Sequence, residues 1–387
     1  MSRINNLIKE LCPNGVEYVK LGELVDYIQP AKYIVKDTNY DIKYDVPVLT
    51  AGQTFILGYT NEKDGIYYAS ADNPVIIFDD FTTSNHWVDF NFKVKSSAMK
   101  ILISKTDNLF KYIYYCISNI DYVPKEHSRQ WIQVYSQFQI PLPPLKVQEE
   151  IVRILDKFGE LEAELEAELE ARKSQYEFWR DKIFKFENRS DVKWLKLKDI
   201  KTEIYRGNGI KRDQVTDDGI PCVRYGEIYT TYDIWFNDCK SHTFKDVVSN
   251  PKTFTNNDLL FAITGESVEE ISKTIAYTGN DVCYAGGDIV VMKHNQNGKY
   301  LSYTLSTKDA VFQKGKGKVK SKVVHSSVPS IEEIIVPIVS LEEQDEIVEK
   351  LDYFYNIIND ISCGLPAEIE LRRKQYEYYR NKLLSFE

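Results

Sequence analysis

The chain has 387 residues, 43% of them hydrophobic and 28% charged, with a formal net charge of −9. That length suits roughly two or three domains with ordinary cores, and no run approaches the ~18 apolar residues of a membrane span. Six scattered cysteines (Cys12, Cys116, Cys222, Cys239, Cys283 and Cys363) form no C-x-x-C pair, which argues against a disulfide framework or a cysteine zinc site and for a reducing cytoplasm.

The start, Met1-Ser2-Arg3-Ile4-Asn5, lacks the apolar core of a signal peptide. Asn73-Pro74-Val75-Ile76-Ile77-Phe78 predicts a buried strand. The polar loop Asp79-Asp80-Phe81-Thr82-Thr83-Ser84-Asn85 follows it. Two adjacent carboxylates with no third at useful spacing predict a structural or base-reading loop rather than a metal site. Leu109, Tyr112, Ile113 and Cys116 in 3–4 spacing predict a helix from Asn108 to Ile120. Next comes His127-Ser128-Arg129-Gln130-Trp131. Arg129 and Gln130 carry the groups that read guanine and adenine edges, while Trp131 also suits a core residue whose neighbours close the fold.

From Gln148 to Phe186 the apolar positions Ile151, Ile154, Phe158, Leu161 and Leu165, then Leu169, Tyr176, Trp179, Ile183 and Phe186, predict one long helix. Inside it the unit Glu-Leu-Glu-Ala occurs three times, at 160–163, 164–167 and 168–171. It reads either as a stable solvated helix or as a spacer adjustable in steps of about 6 Å and about 40°. The second half offers Arg206, Lys211, Arg212, Arg224 and Tyr225 near turns, and a strand at Asp288-Ile289-Val290-Val291-Met292-Lys293. Its densest positive run is Lys314-Gly315-Lys316-Gly317-Lys318-Val319-Lys320-Ser321-Lys322. Alternate lysines on a glycine-rich loop can track phosphates, or simply face water. A second long helical pattern closes the chain, interrupted at Cys363-Gly364-Leu365-Pro366.

The two helical patterns are copies. Pro141, Leu145, Gln148 and Asp156 match Pro337, Leu341, Gln344 and Asp352, and Gln175-Tyr176-Glu177-Phe178-Trp179-Arg180 matches Gln375-Tyr376-Glu377-Tyr378-Tyr379-Arg380. The offset grows from 196 to 200, so the second copy holds four extra residues. More weakly, Val16–Leu21 matches Val192–Leu197. The organisation reads as globular, helix, globular, helix, with boundaries at 1–140, 141–187, 188–336 and 337–387. The helical segments carry −4 and −5 and the globular ones −2 and +2. The net charge counts against a chain that grips nucleic acid alone, but an acidic chain can bind DNA through a local patch, especially where a partner supplies phosphate contacts.

Motifs for catalysis are missing. Gly315-Lys316 and Gly317-Lys318 lack the earlier glycine of a phosphate loop, no G-x-S-x-G elbow occurs, and Asp72-Asn73-Pro74-Val75 lacks the second proline and aromatic of an amino-methyltransferase. The five histidines show no metal-ligand spacing. No catalytic residue and no metal site are expected.

Ile140-Pro141-Leu142-Pro143-Pro144-Leu145-Lys146-Val147-Gln148 with its helix, its second copy, Phe78-Asp79-Asp80-Phe81-Thr82 and the blocks at 175–180 and 375–380 closely resemble the specificity subunits of type I restriction–modification systems. The resemblance covers essentially the whole chain. It implies an α+β fold in which two target-recognition domains, the first with a short N-terminal helix, are separated by two long antiparallel, coiled-coil-like helices with a pseudo-two-fold repeat. It implies a non-catalytic subunit that reads an asymmetric bipartite site in double-stranded DNA. Methyltransferase subunits would dock near the helices, and a restriction–translocase subunit could join. S-adenosylmethionine and ATP/Mg would then belong to partners, and no cofactor to this chain. Candidate DNA contacts are Thr82, Thr83, Ser84, His127, Arg129, Gln130, Arg206, Lys211, Arg212, Arg224, Lys314, Lys316, Lys318, Lys320 and Lys322, with Leu161, Leu165 and Leu169 on the spacer. One departure is Val339-Ser340, where the first copy has Pro143-Pro144. The competing readings are a self-sufficient DNA methyltransferase or nuclease, and a duplicated coiled-coil scaffold.

Overall fold

A computed structural model describes residues 2–52, 54–318, 323–360 and 362–386. The chain forms two compact units, residues 1–166 with 369–387, and residues 167–368. Each unit therefore takes one globular segment, the first part of the long helix after it, and the last part of the other copy's helical segment.

In the first unit the predicted strand is Val75–Asp79, the third of an antiparallel four-stranded sheet ordered Val25–Ile28, Met99–Ser104, Val75–Asp79 and Asn85–Val88. Successive side chains of a strand point to opposite faces. Ile76 and Phe78 thus join one core with Trp131, Tyr135 and the helix Phe110–Ser118, while Val75 and Ile77 join another with Leu49, Phe92 and Val94. A small sheet of Ile56–Thr60, Val46–Leu49 and Lys93–Val94 covers that second face. Burial on both faces explains the unbroken apolar run in the sequence.

The second unit repeats the scheme with a larger sheet, ordered Lys201–Arg206, Ile289–His294, Leu259–Ala262, Thr274–Tyr277 and Trp235–Phe236. Leu259, Phe261, Val290 and Met292 face the core shared with the helices; Leu260, Ala262, Ile289 and Val291 face the outer core. A further four-stranded sheet, Ser241–Thr243, Ile220–Val223, Cys283–Ala285 and Thr253–Phe254, lies on the outer side. Each fully buried Leu, Ile or Phe contributes about 1.5–3 kcal/mol.

The long helix runs unbroken from Leu145 to Ile183. Good helix formers and the pairs Lys157–Glu160, Arg172–Glu168 and Lys173–Glu170 support its solvated stretch. The second copy is two helices, Leu341–Asn359 and Leu365–Ser385. The absent Pro-Pro is replaced by an N-cap: the Ser340 hydroxyl accepts from the Glu343 amide at 3.2 Å. Gly364 marks the break, since a Cβ there would lie 2.7 Å from the Asp360 carbonyl oxygen. Pro366 then sits in the first turn, where its missing N–H costs nothing. Within the first unit Phe158 stacks on Tyr379 at 5.5 Å while Glu162 pairs with Arg373, so the two helices there run antiparallel.

Each globular segment is fixed to its helix by the same contacts. Strand Glu17–Lys20 pairs antiparallel with Gln139–Leu142, placing Tyr18 opposite Pro141; Lys193–Lys196 pairs with Ile335–Ile338, placing Trp194 opposite Pro337. The Tyr112 hydroxyl donates to the Pro141 carbonyl at 2.8 Å, and that of Tyr300 to Pro337 at 2.9 Å. Tyr115 donates to Asp156, and Tyr303 to Asp352. The buried Gln148 amide donates to Pro143 O and Asn108 Oδ1 and accepts from the Leu109 amide. Gln344 likewise donates to Val339 O and Gln296 Oε1 and accepts from the Asn297 amide. Lys111 lies 4.2 Å from the Trp87 ring centre and Lys299 3.6 Å from that of Trp235.

Candidate nucleic-acid interface

In the first unit the two predicted loops come together. Thr82, Thr83 and Ser84 form the tip of the hairpin joining Val75–Asp79 to Asn85–Val88. The Asp79 carboxylate accepts from the Phe81 and Thr82 amides, both at 2.8 Å, and this holds Thr83 at φ 66°, a conformation a β-branched residue rarely adopts. Thr82 is exposed, Ser84 half-buried and Thr83 buried.

Asp80 ties the tip to the second loop. Its carbonyl accepts from the Gln130 amide and its carboxylate from the Trp131 amide, each at 2.8 Å. It also forms a buried ion pair with Lys100 at 3.2 Å. A charge pair this deep persists only with its partners in place, so Asp80 is a fixed anchor and not a metal ligand in waiting. Trp131 is core, against Phe78. Gln130 is buried: its amide donates to Ser128 O and Oγ and accepts from the Tyr122 hydroxyl. It is therefore a buttress of the loop, with its reading groups turned inward. His127 stacks on Phe81 at 4.5 Å. Thr82, His127 and Arg129 remain exposed on this braced platform, joined by Lys125, which the sequence reading passed over.

In the second unit Arg212 and Arg224 line a concavity of about 460 Å³ together with Gly209, Tyr225, Gly286 and Gly287. Backbone segments cross at two of these glycines: a Cβ on Gly286 would fall 2.9 Å from the Val223 oxygen, and one on Gly287 3.1 Å from the Gly209 Cα. The Arg224 Nε is buried with no hydrogen-bond partner among the described residues, while its backbone amide donates to Glu227. Lys211 and Arg212 are exposed. Arg206 is turned to its own sheet, donating to Gly287 O and pairing with Asp288.

The basic run divides. The helix Lys308–Gly315 carries Lys314 inward, four residues from buried Ala310. Its ammonium donates to Thr274 Oγ1 at 2.9 Å and Leu305 O at 2.8 Å, and burial brings its pKa down to about 7. Lys316 is exposed and Lys318 half-buried; Lys320 and Lys322 lie outside the described residues. On the spacer Leu161, Leu165 and Leu169 are all half-buried.

Exposed guanidinium groups beside small or polar side chains can take guanine edges bidentately, and lysines can take phosphates. No group of three or more His, Cys, Asp or Glu placed to hold a metal occurs among the described residues. No helix among them is long and apolar enough to cross a membrane. Helical spacing marks Tyr112, but its junction role and that of Tyr115, Tyr300, Tyr303, Lys111 and Lys299 escaped the sequence reading, though Lys111-Tyr112…Tyr115 recurring as Lys299-Tyr300…Tyr303 is visible in the sequence.

A family model for the type I restriction modification DNA specificity domain matches residues 13–171 and again 189–371. A type I restriction enzyme specificity subunit of Escherichia coli is 38% identical over 100% of this chain and 98% of its own length. A putative type I restriction enzyme specificity subunit of Haemophilus influenzae is 28% identical over 98% of each. In fold, the chain resembles one solved in work on complex assembly and conformational transition of the type I R-M system, with a TM-score of 0.62, 14% identity and coverage of 96% and 98%. It also resembles a type I S subunit from M. genitalium, with a TM-score of 0.51, 14% identity and coverage of 96% and 97%.

Proposed function

The chain belongs to the family of type I restriction–modification DNA specificity subunits, and from that premise we propose that each unit reads one half of an asymmetric, bipartite DNA site. It is the recognition subunit and not the catalytic one. The observation that carries the half-site assignment is the pairing of two unlike outer platforms with duplicated helix junctions. In the first unit, Thr82, His127 and Arg129 face the duplex; in the second, Lys211, Arg212 and Arg224 do, with Lys316 and Lys318 on phosphates. The boundaries 1–140 and 188–336 for the readers and 141–187 and 337–387 for the spacers belong to the same proposal.

The same aromatic and apolar positions stay exposed in both units: Tyr18, Leu145 and Tyr378 in one, Trp194, Leu341 and Phe178 in the other. Repeated exposed apolar side chains mark interaction surfaces. We assign them to methyltransferase subunits, which would bring S-adenosylmethionine to the site; a restriction–translocase subunit would bring ATP and Mg²⁺. The working compartment in this reading is the cytoplasm.

Single-molecule methylome sequencing of a host with and without this chain, its methyltransferase partner present in both, tests the reading. A two-part motif with a fixed gap should appear only with the chain. An unsplit motif, or one independent of the chain, overturns it.

A further inference from the structure

The duplicated blocks at 175–180 and 375–380 each end on an arginine, and the two arginines meet different surroundings. In the second unit Arg180 pairs with its neighbour Asp181 at 3.3 Å and lies 5.7 Å from the Tyr176 ring centre. Tyr355 stands 6.4 Å from that ring and bonds to Asp233. In the first unit Asn381 replaces Asp181, and Gly159 holds the place of Tyr355, three residues after Asp156 as Tyr355 is after Asp352. A Cβ on Gly159 would meet nothing within 4 Å. Arg380 donates through Nε to Asn119 Oδ1 at 2.9 Å, lies 5.4 Å from the Tyr376 ring centre and reaches its hydroxyl. Among the described residues no carboxylate pairs with it, and Glu162 on the opposite helix is taken by Arg373. A guanidinium carries five N–H donors, so two neutral partners leave both donors and charge to spare.

Arg380 opens onto a concavity of about 390 Å³ that Ser84, Asn85, His86, Ser118 and Tyr376 also line, and it is the one permanent charge there. Asn85 donates to Thr83 O at 3.3 Å and accepts from Ser118 Oγ at 2.6 Å, which ties this wall to the hairpin tip. Ser84 belongs to both the tip and the wall; its oxygen accepts from Thr82 Oγ1 at 3.1 Å and its own proton is left to give. An anion in this concavity therefore lies at the edge of the reading platform. We propose that Arg380 seats a DNA backbone phosphate of the first half-site, with the Ser84 hydroxyl as second donor, and so fixes how the hairpin tip approaches the bases; this rests on the DNA-reading function above. Guanidinium takes phosphate oxygens in paired, charge-assisted bonds. Phosphate contacts set register and orientation, and base contacts supply sequence. Arg180, neutralised by Asp181, does not offer the same seat in the second unit.

The full chain in complex with its methyltransferase partner is titrated onto duplexes carrying the motif found by methylome sequencing, with anisotropy read at several salt concentrations. Arg380→Gln should weaken cognate and non-cognate duplexes alike, by about tenfold, and lower the slope of log K against log salt by about 1. Asn381→Asp, which imports the carboxylate of the second copy, should do the same. Arg380→Lys should keep the slope, and Arg180→Gln should leave it at the wild-type value. A single neutral methylphosphonate linkage is then stepped through the first half-site. The wild type should lose about tenfold at one linkage, and Arg380→Gln should lose nothing further there. An unchanged salt slope in Arg380→Gln, with or without a lower urea midpoint, makes the arginine a junction residue and overturns the seat. Equal losses at every linkage in wild type and Arg380→Gln overturn it too. Either result leaves the DNA-reading function standing, whereas a wild-type complex with no preference for the motif overturns that function itself.

Discussion

The two units are alike where they grip the helices and unlike where they face outward. At the junctions Tyr112, Tyr115, Gln148 and Asp156 have counterparts in Tyr300, Tyr303, Gln344 and Asp352, down to the hydrogen-bond partners. At the outer faces one unit offers a hairpin tip braced by a buried Lys100–Asp80 pair, the other a glycine-lined concavity with two arginines. A junction has a single task in both copies, which is to hold a rod at a fixed angle, and one solution serves twice. A reading face must match whichever bases it meets, so two half-sites of different sequence call for two surfaces.

The strongest challenge to this contrast is exchange. Replacing residues 188–336 with the equivalent domain of another specificity subunit should replace one half-site entirely and leave the other intact, as read by methylome sequencing. A change in both halves would mean that the outer faces act jointly. The junctions come next. Gln148→Leu removes two donated bonds and strands the Leu109 amide; Gln344→Leu does the same to Asn297. Each should cost about 2–4 kcal/mol in urea unfolding, with the two values within about 1 kcal/mol of each other. Unequal costs would show that the repeated geometry hides different loads.

Much of the alike region was legible in the sequence and little of the unlike region was. Gln148/Gln344, Asp156/Asp352 and the 175–180 and 375–380 blocks announce themselves by repetition, and helix periodicity places them. The strands Val75–Asp79 and Ile289–His294 follow from apolar runs. Reading residues carry no such signal, because exposure depends on loop paths set by distant anchors. Gln130 has the right chemistry for adenine yet is buried by the anchoring of its loop on Asp80. Lys314 belongs to a lysine-rich run that looks solvated, yet its place on an inward helix face buries it. A charge run gives composition, and only the helix phase gives direction.

Lys314 supplies a smaller effect, confined to one unit. Its folded pKa, about 7, lies below the unfolded value of about 10.4. Between these values the unfolded chain binds more protons, so the contribution to stability rises with pH; below about pH 7 both states are charged and it is flat. Relative to Lys314→Met, the wild type should therefore gain about 2 kcal/mol between pH 7 and pH 9 in paired unfolding curves. A pH-independent difference would show that the side chain stays charged inside the fold.

The smallest effects separate reading from gripping within the second unit. Arg212 lines the concavity, where a guanidinium can meet a base edge in two bonds; Lys316 is exposed past the helix end, where an ammonium can meet only the backbone. Arg212→Ala in the intact methyltransferase complex should cost about 1–3 kcal/mol and relax one base position. Lys316→Ala should weaken cognate and non-cognate duplexes alike and lower the slope of log K against log salt by about 1. Fluorescence anisotropy at several salt concentrations measures both. If Arg212→Ala only shifted the salt slope while Lys316→Ala relaxed a base, the concavity would be a phosphate seat and the lysine tail the reader. The contrast between the two outer faces would then rest on the loop after Gly315 and not on the crossing of glycines.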